Sequence, residues 1–214
     1  VRCLSAEYLG INGLFTNILS MLSLAELGIG GAIGFALYKP LAENDKDKIA
    51  TLMNFYGKAY KVIGMIVAVL GLLMMPFLKV LITTQPNIKE NLYVIYAIYL
   101  FNTASSYFFS YRSALLTAAQ RNYIVLGINY SIVAAQSIIQ IPLLLVTQNY
   151  ILYLLVQTLG TLSNNIMVSL WARKDYPYIV KKDTKPLSSD EKKELFINIK
   201  ALTINKLSTV LVNN

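Results

Sequence analysis

Long uncharged stretches alternate with charged links along the chain. A window of about 19 residues finds five stretches as long as the roughly 20 residues that a helix needs to cross a bilayer, at 13–38, 62–82, 91–116, 123–146 and 150–171. We expect residues 1–6 to be the end of a truncated transmembrane helix and residues 196–214 the start of another, so we expect the chain to be a fragment. The pattern predicts an all-α fold, a polytopic integral membrane helix bundle.

Polar residues recur along one face of four of the five predicted helices. Steps of three and four residues place side chains one above another on a helix. The stripe in the first helix comprises Asn12, Thr16, Ser23, Glu26, Gly30 and Gly34, and that in the third comprises Asn102, Ser106, Ser110, Ser113, Thr117 and Gln120. The stripe in the fourth helix comprises Asn129, Gln136, Gln140 and Thr147, and that in the fifth comprises Gln157, Gly160 and Asn164. Unsatisfied polar groups in hydrocarbon cost several kcal/mol each. These faces are therefore expected to meet other helices or a water-filled cavity.

Two interpretations of the stripes stay open. Amide and small residues can simply join helices, at about 1 kcal/mol per interhelical hydrogen bond. They can also line a hydrophilic translocation cavity, which we favour because packing alone requires neither four stripes nor a Glu and an Arg within the spans. The candidate cavity residues are Glu26, Arg112, Asn102, Ser106, Ser113, Gln120, Asn129, Gln136, Gln140, Gln157 and Asn164.

Glu26 and Arg112 are the two charges that need an explanation. Glu26 lies near the middle of a run, 8–38, that is otherwise uncharged. An ionisable group at that depth often marks a functional site, although Glu26 could equally pair with Arg112 or Lys61. Arg112 flanks the stripe of the third helix, where its planar guanidinium could bind a phosphate or pyrophosphate group. Its alternative role is to snorkel toward the headgroups.

Composition narrows the function classes. Charged residues make up 14% of the chain and its mean hydropathy is +0.53, whereas soluble domains carry about 25% charged residues. The chain has no histidine and a single cysteine, Cys3, so it lacks the residues of common metal sites, of His-based catalysis and of an internal disulfide. We therefore expect no enzyme activity, no metal and no cofactor.

Charge and tyrosine positions mark the expected membrane boundaries. Fifteen Lys and Arg residues fall on one side of the predicted spans and three on the other. Because cytoplasmic links carry the excess of positive charge, the basic links 39–61 and 173–194 are predicted to be cytoplasmic, as is the turn around Arg121. The net charge of +8 thus indicates topology, and no nucleic-acid partner is expected. Most of the tyrosines near span ends are expected to be interfacial; these are Tyr93, Tyr96, Tyr99, Tyr123, Tyr150 and Tyr153.

Four segments resemble a known transporter family. They are EYLGINGLF at 7–15, LAELGIG at 24–30, ALYKPLA at 36–42 and LLTAAQRNYI at 115–124. They resemble the second-helix region and a cytoplasmic turn of Wzx-like polysaccharide flippases (O-antigen, capsule or teichoic-type), which belong to the multidrug/oligosaccharidyl-lipid/polysaccharide (MOP) exporter superfamily. The resemblance implies a MATE/MOP-flippase-like N-terminal lobe, with the five spans as helices two to six.

The resemblance also implies a function and its partners. Such a protein would flip an undecaprenyl-pyrophosphate-linked oligosaccharide across the bacterial plasma membrane, as a multi-pass protein of surface polysaccharide biosynthesis. Its partners would be this lipid-linked substrate, membrane lipids and H+ or Na+ as the coupling ion, for which Glu26 is the candidate acid. Arg112 would hold the pyrophosphate while the cavity replaces water around the sugar. Two alternatives stay open: a multidrug or metabolite exporter of the same superfamily, and a membrane-embedded enzyme of the polysaccharide pathway.

Overall fold

A computed structural model describes residues 5–22, 28–82, 88–181 and 184–212. Within these ranges the chain is all-α, as the sequence predicts, and it contains no strand. Two short 3-10 turns occupy Met75–Phe77 and Pro177–Val180. The α-helices are α1 (Ala6–Leu22), α2 (Ile29–Ala42), α3 (Lys46–Met74), α4 (Leu78–Leu81), α5 (Leu92–Ala118), α6 (Asn122–Thr147), α7 (Tyr150–Asp175) and α8 (Ser189–Val212).

Four of the described helical segments are long and apolar enough to cross a membrane. They occupy Lys46–Val80, Leu92–Ala118, Asn122–Thr147 and Tyr150–Asp175, with mean hydropathies between 1.2 and 2.3. Large apolar side chains on their outer surfaces are left uncovered, such as Ile138 at 72% exposure and Val146 at 84% on α6. Because only lipid or another protein can cover such a surface favourably, these helices support the prediction of a membrane bundle.

The first predicted span, 13–38, is not one continuous helix. The structure has α1 and α2 instead, and Gly28 before α2 has φ +92, in the left-handed region that interrupts a helix. Gly28 also lies against α8, because a Cβ there would be 2.5 Å from the carbonyl oxygen of Ile199. The apolar pattern did not reveal this break, since it continues on both sides of the glycine.

The predicted link 39–61 is mostly helical. The side chain of Asp45 accepts a hydrogen bond from the backbone N–H of Lys48 at 2.9 Å and caps the start of α3. From there the buried residues Ile49, Met53 and Tyr56 continue the apolar face of the helix. Lys46–Val80 spans 35 residues, or about 52 Å at 1.5 Å per residue. The helix therefore extends well past the roughly 30 Å of a hydrocarbon core.

Two apolar clusters hold the helices together, one toward each end of the bundle. The cluster at the end with the basic links joins α2, α3, α5, α6 and α7 around Tyr56 and Leu115. The cluster at the opposite end joins α1, α4, α5 and α7 around Phe15 and Tyr96. Because α5 and α7 contribute to both clusters, they form the central pair, along which most of the candidate cavity residues lie.

The predicted link 173–194 is docked on the bundle over the part that the structure describes. α7 continues to Asp175, and Asn54 on α3 then donates from Nδ2 to the carbonyl oxygen of Lys181 at 2.7 Å and to Oγ1 of Thr184 at 3.1 Å. Ser188 and Glu191 exchange side-chain to backbone hydrogen bonds at the start of α8, in the manner of a capping box. Capping thus starts α8 seven residues before the apolar segment expected at 196–214.

Candidate functional site

Arg112 lies in the seam between α5 and α7, toward the basic end of the bundle. Its Nη1 donates a hydrogen bond to Oγ of Ser169 on α7, a residue only 4% exposed. Its guanidinium carbon lies 4.9 Å from the ring centroid of Tyr111. In the part of the chain that the structure describes, no carboxylate lies within ion-pair distance of Arg112. The guanidinium is therefore partly buried against a neutral hydroxyl on the neighbouring helix.

The predicted stripe of α5 is only partly available to a ligand. The hydroxyls of Ser106 and Ser113 donate to carbonyl oxygens one turn earlier on α5, at 2.7 Å each. Gln120 leaves the stripe altogether, because α5 ends at Ala118 and Gln120 adopts φ +59 in the exposed turn to α6. The side-chain Oδ1 of Asn102, by contrast, is buried and has no hydrogen-bond partner among the described residues.

Gln136 and Gln140 join α6 to α7. Nε2 of Gln136 donates to Oε1 of Gln140 at 3.1 Å, and Nε2 of Gln140 donates to the carbonyl oxygen of Tyr153 at 3.0 Å. Gly160 on α7 leaves room for this pair, since a Cβ there would lie 2.1 Å from Oε1 of Gln136. Gln140 is 6% exposed. These two amides act as interhelical contacts, which is the packing interpretation of the stripe.

The remaining candidate cavity residues of α6 and α7 are partly buried. Asn129 and Gln157 have intermediate exposure, and the backbone carbonyl of Gln157 accepts from Thr161 at 3.2 Å. Oδ1 of Asn164 is buried and, within the described ranges, has no hydrogen-bond partner. Together with Oδ1 of Asn102, it gives α5 and α7 one unsatisfied acceptor each.

The first predicted stripe does not form a single face. It would run from Asn12 to Gly34, but α1 and α2 are separate helices with Gly28 in a left-handed conformation between them. Oδ1 of Asn12 accepts from the hydroxyl of Tyr99 at 2.7 Å. Glu26 lies outside the described residues, so its role as a cavity or coupling residue stays a prediction.

A polar network that the sequence did not indicate closes the opposite end of the bundle. The carboxylate of Glu90 accepts from the hydroxyl of Tyr8 on α1 and, at 3.1 Å, from the backbone N–H of Tyr150 at the start of α7. The hydroxyls of Tyr150 and Tyr99 lie 3.0 Å apart. Tyr96, Tyr99 and Tyr150 are 0%, 8% and 4% exposed, so these three of the six tyrosines near span ends are core residues. Glu90 joins two distant segments, which no local pattern reveals.

Ion pairs connect the basic links at the predicted cytoplasmic end. Nη1 of Arg121 lies 2.8 Å from Oδ2 of Asp175, and this hydrogen bond raises the pKa of Arg121. The ammonium of Lys48 binds the carboxylate of Glu191 on α8 and lowers the pKa of Glu191. The links between α2 and α3, α5 and α6, and α7 and α8 therefore lie at one end, which is consistent with the charge count but does not test its orientation.

A groove of about 540 Å³ opens at this basic end between α2, the start of α3 and α8. None of the candidate cavity residues that the structure describes lines it. Its charged lining residues are Lys39, Glu43, Asp45, Lys48, Glu191 and Glu194. Over the described residues, no three His, Cys, Asp or Glu side chains are grouped closely enough to hold a metal ion.

Comparison with known proteins does not identify a family or a function for this chain. No protein-family model, curated protein or solved structure matches the chain. The likeness of four segments to polysaccharide flippases therefore stays a resemblance, and the geometry around Arg112 and the α5–α7 seam must carry the functional argument.

Proposed function

We propose that the protein is a membrane transporter that flips an undecaprenyl-pyrophosphate-linked oligosaccharide across the bacterial plasma membrane for surface polysaccharide biosynthesis. The observation that carries this proposal is the position of Arg112. Its guanidinium is held in the α5–α7 seam by Ser169, and no carboxylate among the described residues pairs with it. Four described segments long and apolar enough to cross a membrane provide the setting.

The cost of Arg112 argues for an anionic ligand. Arg112 lies six residues before the end of α5, so it does not incur the full cost of about 2.5 to 3.5 kcal/mol for an arginine at the centre of a membrane helix. Its partly buried guanidinium still lacks an anionic partner among the described residues. Ser169 supplies a hydrogen bond but no charge, so most of the guanidinium's five donors remain for another acceptor. A phosphate group matches the planar fork in geometry and in charge. A cationic drug would be repelled at this position, which disfavours a multidrug exporter.

The unsatisfied amide oxygens of Asn102 and Asn164 favour a hydroxyl-rich ligand. A buried acceptor without a partner costs about 1 to 3 kcal/mol. Sugar hydroxyls are donors that could satisfy both oxygens along α5 and α7. The combination of an unpaired cation and unpaired acceptors thus fits a phosphate-linked saccharide better than an apolar substrate.

Arg112 variants test the proposal in a strain that lacks the native protein. Surface polysaccharide is measured after complementation with the complete protein carrying Arg112, Arg112→Lys or Arg112→Ala, at matched expression. Lys keeps the charge but loses the bidentate fork, and Ala loses a charge-assisted contact worth about 1.5 to 3 kcal/mol, or about a tenfold to hundredfold loss in affinity. We expect the order Arg, then Lys, then Ala.

A matched control removes a cation elsewhere at the same end. Lys193 on α8 is exposed and forms no ion pair among the described residues, so Lys193→Ala should complement fully. Full complementation by Arg112→Ala as well would mean that Arg112 only packs against α7, and phosphate capture would have to be abandoned.

A further inference from the structure

A second arginine lies close to Arg112 on the neighbouring helix. Arg173 follows Ser169 by four residues, which places both on one face of α7. Because Ser169 accepts a hydrogen bond from Arg112, the same face of α7 meets the guanidinium of Arg112. Arg173 is exposed and lies about 6 Å farther along the helix axis than Ser169, toward the end of α7. Two cations from different helices therefore lie within about one helical turn of each other at the basic end of the α5–α7 seam.

Among the described carboxylates, the one closest in sequence to Arg173 already has an ion-pair partner. Asp175, two residues after Arg173, binds Arg121 at 2.8 Å. In the described ranges, neither Arg112 nor Arg173 forms an ion pair of its own. Lys174 adds a third positive charge, with its ammonium 5.7 Å from the ring of Trp171. The local charge is thus strongly positive and is not balanced by these side chains.

Two cations within about one helical turn of each other, neither paired with a described carboxylate, attract an anion that can bridge them. We propose that Arg112 and Arg173, together with the hydroxyl of Ser169, form one binding site for a phosphate or diphosphate group. Ser169 accepts from Arg112 and keeps its own proton to donate to the anion. This inference rests on the proposed function and adds Arg173 and Ser169 to the site at which the substrate is first bound.

The depth of the site suits a diphosphate whose lipid tail stays in the bilayer. Ser169 lies six residues and Arg173 two residues before α7 ends at Asp175. At 1.5 Å per residue these positions are about 9 Å and about 3 Å from the helix end. Such a level corresponds to the boundary between headgroups and hydrocarbon, where a diphosphate can meet both arginines while the prenyl chain remains in lipid.

The experiment titrates each ligand into the complete protein in zwitterionic detergent micelles and measures binding by isothermal titration calorimetry. Farnesyl diphosphate, inorganic pyrophosphate and neutral farnesol separate a lipid-linked headgroup from a free anion and from the lipid alone. We expect saturable binding of farnesyl diphosphate, weaker binding of inorganic pyrophosphate and no response to farnesol. Stronger binding of inorganic pyrophosphate than of farnesyl diphosphate would overturn capture of a lipid headgroup.

Variants then test whether the two arginines act together. Arg173→Ala and Arg112→Ala should each raise Kd for farnesyl diphosphate about tenfold or more, Arg173→Lys should raise it less, and the control Lys193→Ala should leave it unchanged. An unchanged Kd in Arg173→Ala with a raised Kd in Arg112→Ala would overturn the joint site but leave the proposed function standing. An unchanged Kd in both would overturn the joint site and remove phosphate capture by Arg112.

Discussion

Gln140 distinguishes a packing role from a cavity role within the predicted stripe of α6. It is 6% exposed, donates to the carbonyl oxygen of Tyr153 at 3.0 Å and accepts from Gln136 at 3.1 Å. Replacement by Leu keeps a similar volume but removes both hydrogen bonds. If the structure describes the main role of Gln140, Gln140→Leu should destabilise the contact between α6 and α7 and reduce function only through the loss of folded protein.

The size of the effect follows from the two hydrogen bonds. Polar contacts between membrane helices contribute about 0.6 kcal/mol on average and up to about 1.7 kcal/mol. Gln140→Leu removes one such contact, to the carbonyl oxygen of Tyr153 on α7, and one hydrogen bond within α6, from Gln136. With the amide of Gln136 left without its partner, the free energy of unfolding should fall by about 1 to 3 kcal/mol. For a protein of this size that is a fall in Tm of about 2 to 12 °C, since 1 kcal/mol corresponds to about 2 to 4 °C.

Thermal unfolding in detergent measures this change, with Asn129→Leu as the matched control. Asn129 lies on the same helix and the same predicted stripe, but its side chain makes no hydrogen bond within the described ranges, so its replacement should shift Tm by little. An unchanged Tm in Gln140→Leu, combined with a loss of transport at normal expression, would refute the packing interpretation and return Gln140 to the cavity.

Two further predictions concern the basic end. Single cysteines that replace Lys46 and Lys89, in a background without Cys3, should lie on opposite sides of the membrane. A membrane-impermeant thiol reagent added to intact cells should label position 89 and not position 46. The reverse labelling would overturn the predicted orientation. The Lys48–Glu191 ion pair should stabilise the packing of α8 at neutral pH. The pKa of Glu191 is lowered in the folded protein, so this stabilisation is present above the ordinary glutamate pKa of about 4.3. It is lost as the pH falls through the lower pKa of the folded protein. For this partly exposed pair the loss should be about 0.2 to 1 kcal/mol, it should be absent in Glu191→Gln, and a wild-type stability that rises on acidification in this window, relative to Glu191→Gln, would contradict it.

Hydrophobic runs predicted most of the helices because a span in lipid must be both apolar and continuous. The structure has helices within a few residues of the predicted segments 91–116, 123–146 and 150–171, and most of 62–82 lies within the longer helical segment Lys46–Val80. The sequence did not predict the break at Gly28, because a glycine within an apolar run fits a helix as well as a turn. It also missed the extension of α3, which depends on Asp45 as a cap and on Tyr56 packing into the core at the basic end.

The sequence could not predict the hydrogen-bond partners of the side chains, for a different reason. A stripe at helical spacing shows which residues share a face, but not whether a hydroxyl bonds to its own helix, as Ser106 does, or an amide to the next helix, as Gln140 does. Arg112 was found from its depth in an apolar run. Its meeting with Ser169 was not, because that contact requires the relative rotation of α5 and α7.

The direct test of the central claim is flipping itself. The complete protein is placed in liposomes with a short prenyl diphosphate that carries a fluorescent oligosaccharide, and a membrane-impermeant quencher is added outside. With the native protein, quenching should proceed past the outer-leaflet fraction as substrate crosses the bilayer, and Arg112→Ala should slow that second phase by about tenfold or more. Quenching that stops at the outer-leaflet fraction with native, correctly folded protein, under an imposed H+ or Na+ gradient of either direction, would contradict the claim that this protein moves lipid-linked saccharides.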